Sequence, residues 1–146
     1  MGALVFGSSS IFHDQITYSI SAEYFTKLKF HQFHYANFGF SVRVFVAEVG
    51  FLDTWWVGVF SGWFLARIAV PAMPFCIALK KCLIGFGMIF GFAILAAAIG
   101  YYLGIIHAHD YSNWAELGFD HSITDLPPSV RVAYIHSSSY IGVSWD

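Results

Sequence analysis

The stretch "LIGFGMIFGFAILAAAIGYYLGII", residues 83–106, holds no charged side chain. At about 1.5 Å of rise per residue, a helix of this length crosses a hydrocarbon layer about 30 Å thick. Inside such a layer backbone amides find no water, so the segment must satisfy its own hydrogen bonds as an α-helix. A second run, "TWWVGVFSGWFLARIAV", is followed by Pro71 and Pro74. Taken over residues 51–70 it also spans, with Arg67 near its end, where a long side chain can snorkel to the headgroups. A helix running unbroken to Leu79 would hold Arg67 near mid-membrane, at a cost of about 2.5–3.5 kcal/mol. The two prolines argue for a break there instead.

The inventory agrees. Apolar residues make up 58% of the chain and charged residues 11%, against about 25% charged in a soluble domain. Mean hydropathy is +0.63. With a net charge of −2, the chain lacks the clustered Lys and Arg that nucleic acid requires. The expected fold is an all-α membrane protein of one domain. It is a helical hairpin of two transmembrane helices, with interfacial helices and a partial apolar segment at each terminus. Residues 1–12 form the first partial segment and 13–50 a polar, interfacial stretch. Residues 107–129 form a polar loop, and 130–146 the second partial segment. Val42, Phe45, Val46, Val49 and Leu52 follow a helical period, which predicts an interfacial helix leading into the first span. Upstream, "SAEYFTKLKFHQFHY" reads as another such helix, capped by Ser21. Cys76 and Cys82 have no disulfide or zinc spacing and read as small buried apolar residues.

Small residues recur at every fourth position in both spans: Thr54, Gly58, Gly62 and Ala66, then Ala96, Gly100, Gly104 and Ala108. That spacing forms one ridge per helix and lets backbones approach closely. Gly58, Gly62, Gly100 and Gly104 are therefore the expected packing residues. The partner is the other ridge, or a second subunit in a homo-oligomer or a larger membrane complex. Trp55 and Trp56 open one span and Tyr101 and Tyr102 close the other, so both pairs belong at one interface. Arg67, Lys80 and Lys81 mark the opposite side as the cytoplasmic candidate, although Lys27, Lys29 and Arg43 oppose that assignment.

A hairpin puts segments 12–53 and 107–129 on one side. His13, Asp14, Glu23, His31, His34, His107, His109, Asp110, Glu116, Asp120 and His121 then face one compartment. Metal ligation by His13, Asp14, His107, His109 and Asp110 is one reading. In a helix, positions 107 and 109 point about 200° apart and share no ion; an extended segment would bring them together. The competing reading is solvated interfacial side chains with no cofactor. His136, in the last apolar segment, stands outside this cluster. Two "SSS" triplets, at 8–10 and 137–139, read as packing or turn serines. No nucleophile elbow, Walker loop or dinucleotide fingerprint is present, so no reaction is indicated.

The segment "HDQITYSISAEYFTKLKFHQF" resembles the signature of a family of uncharacterised bacterial integral membrane proteins. The matching residues are His13, Asp14, Gln15, Thr17, Ser19 to Ser21, Glu23 to Thr26, Lys29 and Phe30. "TWWVG" at 54–58 and "RVAYIHSSSYIG" at 131–142 fit the same likeness. The resemblance implies a multi-pass protein of the bacterial inner membrane, with a full helix before "HDQ" and another starting near "SYIG". It implies no activity. The expectation is an accessory or structural membrane component without catalysis. The alternative is a metal- or cofactor-binding protein built on the one-sided His/Asp/Glu cluster.

Overall fold

The computed structural model describes residues 1–109 and 123–144, the last four of these by backbone alone. The described residues are helical with no strand. Helix α1 (Gly2–Ile20) is followed by α2 (Ala22–Tyr24), a π-helical turn (Phe25–Lys29), α3 (Phe30–Gln32) and a 3-10 turn (His34–Ala36). Two long helices come next, α4 (Val42–Ala69) and α5 (Phe75–Ile106), and then α6 (Leu126–Ser144). Both α4 and α5 are long and apolar enough to cross a membrane.

Boundaries follow local chemistry. Ser21 is extended, at φ −145° and ψ 105°, and its hydroxyl accepts from the Tyr24 amide at 3.2 Å. It thereby ends α1 and caps the next turn. Pro74 sets the start of α5, one residue ahead of the helix, where no amide is needed. Pro127 and Pro128 occupy the first turn of α6 for the same reason.

Several expectations change here. The interfacial stripe and the span at 51–70 are one continuous helix, because nothing between Val42 and Ala69 breaks it. The second span begins at Phe75 and carries Lys80 and Lys81 on exposed positions of the helix itself. The partial segment at 1–12 continues through His13 and Asp14 to Ile20, because these polar side chains find partners within the protein. The segment at 130–146 starts earlier, at Leu126. The stretch after Ser21 is a succession of short turns rather than one regular helix. Cys76 is exposed and Cys82 partly so.

The glycine ridges do not pack on each other: Gly58 meets α1, and Gly100 and Gly104 meet α6. The α1 helix runs antiparallel along α4, with Gly2 on Gly58, Ser10 on Gly50 and Gln15 beside Arg43. A Cβ at Gly58 would fall 2.3 Å from the Gly2 carbonyl oxygen. The α6 helix packs antiparallel on α5: a Cβ at Gly100 would lie 2.5 Å from the Tyr134 oxygen, and one at Gly104 2.6 Å from Arg131 Cα. Gly62 has only ordinary contact with Phe86 at 3.5 Å. The buried core lies at one end of the hairpin, where Tyr24 and Phe25 are wedged against Val46, Val132 and Ala133. That wedge brings α1, α4 and α6 together around a set of polar side chains.

Candidate functional site

Two contacts fix the register between α1 and α6. Ser21 Oγ meets Ser129 Oγ at 2.9 Å. Glu23 binds the start of α6, accepting from the amides of Thr124 at 2.9 Å and Asp125 at 2.7 Å and from the Thr124 hydroxyl. The Thr124 and Asp125 bonds hold the Glu23 carboxyl below its ordinary range. Asp14 lies two helical turns before Ser21, and His136 two turns after Ser129, so each shares a face with its serine. Since α1 and α6 are antiparallel, the serine contact delivers His136 onto Asp14.

His13 Nδ1 lies 3.1 Å from Asp14 Oδ1, and His136 Nε2 lies 3.8 Å from the same oxygen. The two imidazole rings are edge to face, 4.8 Å apart. Thr17 Oγ1 is 3.2 Å from His136 Nε2 and also within reach of the carbonyls of His13 and Asp14. Its single proton therefore serves either the backbone or the imidazole. When it serves the backbone, His136 donates to the hydroxyl instead. Tyr24 stacks on His136 at 5.1 Å, and Phe25 meets the same ring edge-on. Burial, with Asp14 and Asp53 close by, pushes the Tyr24 phenol well above its usual range.

Burial is severe. Asp14 is 1% exposed and His136 is 4% exposed. Asp14 Oδ2 and His13 Nε2 are buried and have no hydrogen-bond partner among the described residues. If neutral His13 gives its Nδ1–H to Asp14, both orphaned atoms are lone-pair acceptors. The nearby ammonium of Lys29 is already engaged: it pairs with Asp53, whose Oδ2 also accepts from the Tyr140 hydroxyl. One donor atom each from His13, Asp14 and His136 lie within 4.8 Å of one another. First-row metals hold N and O ligands at about 2.0–2.2 Å, which sets tetrahedral neighbours about 3.4 Å apart. The separations of His13 Nδ1 and His136 Nε2 from Asp14 Oδ1, 3.1 and 3.8 Å, bracket that value, and the group as a whole extends to 4.8 Å, so a bound ion would draw the imidazoles closer together.

No family model, no curated protein and no solved structure matches this chain. Its chemistry must therefore be argued from the site.

Of the sequence-derived candidates, His13 and Asp14 are brought together, and His107 and His109 are not part of their group. His107 stacks on Tyr134 at 5.7 Å, and His109 is exposed at the end of α5. Asp110, Glu116, Asp120 and His121 lie outside the described residues. His136, expected to stand apart, is the third member. Tertiary register places it there, which spacing within α6 does not reveal. The available signal was a helical face: Ser129, His136 and Tyr140 recur at the interval that puts polar side chains on one side of α6. The Lys29–Asp53–Tyr140 group was missed as well. It joins three elements far apart in sequence.

A cleft of about 550 Å³ opens beside this site, between α1, α5 and α6. His13, Asp14, Thr17 and His136 line one part of it, and Phe6, Phe90 and Ile94 belong to its apolar walls. The serine triplets lie in helices rather than turns, and Ser9, Ser10 and Ser139 contribute to the lining.

Proposed function

We propose that the chain is an integral membrane protein that holds a first-row transition metal, zinc or iron, through His13, Asp14 and His136. The observation that carries this reading is the state of Asp14. Its carboxylate is buried, shares one oxygen between two imidazoles, and leaves the other without a partner among the described residues. A buried carboxylate costs several kcal/mol unless paired, and the neighbouring lysine is already spent on Asp53. A cation held by His13 Nδ1, Asp14 Oδ1 and His136 Nε2 would neutralise this buried carboxylate. Two histidines and one carboxylate leave coordination positions open for water or a ligand. The protein's place is a multi-pass one in the bacterial inner membrane, which rests on α4 and α5 and on the "HDQ" resemblance.

Elemental analysis of the protein purified in detergent tests this. The expected result is close to one zinc or iron per chain, lost in Asp14→Asn and in His136→Gln and retained in His107→Ala. Wild-type protein without stoichiometric metal, or a metal content that His136→Gln leaves unchanged, would sink the proposal.

A second reading keeps the non-catalytic accessory role. It is favoured by Gly87 and Gly91, which lie one helical turn apart on α5 with open space where a Cβ would stand. Spacing of this kind admits a helix of another subunit. A crosslinking experiment in membranes tests it: cysteines at Gly87 and Gly91 should form disulfide-linked species if a helix packs there.

A further inference from the structure

We propose that the cleft between α1, α5 and α6 binds the hydrocarbon tail of a single-chain lipid whose polar terminus reaches His13, Asp14 and His136. The proposal deepens the metal reading by naming the substrate class of the same site. Its geometry also stands without the ion.

The volume comes first. About 550 Å³ falls within the roughly 300–1,000 Å³ of ordinary ligand sites. Next comes the distribution of polarity. The hydroxyls of Ser9, Ser10, Thr54, Tyr101, Ser139 and Tyr140 are spread along the lining, but its ionisable imidazoles and carboxyl are gathered in the His/Asp group, and Phe6, Ile16, Phe90, Ala93 and Ala97 offer nothing that hydrogen-bonds. A water-soluble substrate would leave its polar groups unmatched along such walls. A molecule with one polar end matches them.

Access points the same way. Phe12, Ile16 and Ile94 line the cleft, yet they are 71%, 65% and 71% exposed. The mouth is therefore formed by apolar side chains on the outer surface of the helices. On a spanning protein that surface meets lipid, so a ligand enters sideways from the bilayer.

Depth completes the match. The lining includes Tyr101, which with its neighbour Tyr102 belongs at the interface, whereas Trp55 and Trp56, expected at the same interface, follow Thr54, which bonds to Phe6 beside Phe90. From Tyr101 the lining follows α5 through Ala97, Ile94 and Ala93 to Phe90, deeper in the apolar span. At one end Asp14 Oδ2 and His13 Nε2 wait without partners among the described residues. A lipid lying in the leaflet already holds its head at the interface and its tail along the helix. The cleft takes it in that orientation. An unbranched primary alcohol is the simplest ligand of this class: its hydroxyl donates to Asp14 Oδ2, and its oxygen has lone pairs for a metal.

The test uses the full chain in lipid nanodiscs and a long-chain fatty alcohol carrying a mid-chain diazirine. After irradiation, adducts are mapped by mass spectrometry and metal is measured on the same samples. Adducts should concentrate on cleft residues of α1, α5 and α6. Ala97→Trp and Ala93→Phe, which fill the cleft from its α5 wall and remove no ligand atom, should each lower labelling at least fivefold and leave metal content and melting unchanged. Phe92→Trp, on the exposed surface outside the lining, should change nothing. Labelling spread evenly over exposed α5 positions and indifferent to Ala97→Trp and Ala93→Phe would overturn the proposal, whatever the metal content. Cleft-specific labelling in a protein without metal would uphold this proposal and remove the metal reading. If one filling variant fails to fold, the other decides.

Discussion

Glu23 sits at the corner where α1 ends, and its carboxylate is the anchor for the first residues of α6. Three donors converge on it: the Thr124 amide and hydroxyl and the Asp125 amide. These bonds favour the charged form and lower its pKa from the ordinary 4.5. The sign follows directly. A carboxyl whose folded pKa is depressed adds stability that is fully present above its unfolded pKa and is lost as pH falls through the folded value. Wild type should therefore lose its advantage over Glu23→Gln as pH is taken from neutrality to below 4.5. Melting temperatures of both proteins in detergent across that window check it, and a constant difference would show that the charge of Glu23 is idle. Because this anchor sets where α6 begins, Glu23→Ala should also weaken metal retention at His136, two elements away.

Asp14 differs from Glu23 in kind. Its partners are imidazoles, so its environment depends on their protonation and on what occupies the site. Thr17 is the residue that separates a metal ligand from a helper. Thr17→Val removes the hydroxyl near His136 Nε2 but no ligand atom. Metal should remain bound in Thr17→Val and weaken by about 10- to 100-fold in affinity, the usual effect of losing an outer-shell partner. A competition titration with a chelator measures this directly.

At the scale of elements, the glycine contacts are unequal, and substitution should expose the difference. Gly58 and Gly100 face backbone oxygens that cannot yield, at 2.3 and 2.5 Å from a Cβ, whereas a Cβ at Gly62 makes only ordinary contacts, the nearest at 3.5 Å. Gly58→Ala and Gly100→Ala should each cost about 1–3 kcal/mol by overpacking. Gly62→Ala and Gly91→Ala should be near neutral in thermal melting. The ridges were legible in the sequence because a four-residue period needs no tertiary information. Their partners were not, because α1 and α6 are too polar to announce themselves as packed helices. The spans were legible for a related reason: an uncharged run such as 83–106 has few alternatives to a helix. His13 and Asp14 stood out as a rare polar pair beside an apolar run. His136 did not, since the Ser21–Ser129 and Glu23–Thr124 contacts that return α6 to α1 join residues about 100 positions apart.

On the scale of the whole molecule, the charges that seemed to contradict one orientation are largely engaged. Lys29 is 6% exposed and paired with Asp53. Arg43 is bound to Gln15 and Ser19 and stacked on Tyr18 at 4.5 Å. Lys27 remains exposed on that side. Arg67, Lys80 and Lys81 are all exposed around the short turn between α4 and α5. Free basic residues flanking a span favour the cytoplasmic side, so this turn should face the cytoplasm and the His/Asp site the opposite compartment. Cys76 is exposed near that turn, and it serves as a native reporter once Cys82 is changed to Ser. In intact cells a membrane-impermeant thiol reagent should leave Cys76 untouched until the membrane is permeabilised. Cysteines placed at Tyr35 and at His109, both exposed and both at the other end of the hairpin, should react from outside and do so alike. Labelling of Cys76 from outside would reverse the orientation and leave the hairpin standing. Opposite behaviour of the Tyr35 and His109 reporters would break the hairpin itself, because two spans joined by a short turn return the chain to the side from which it came.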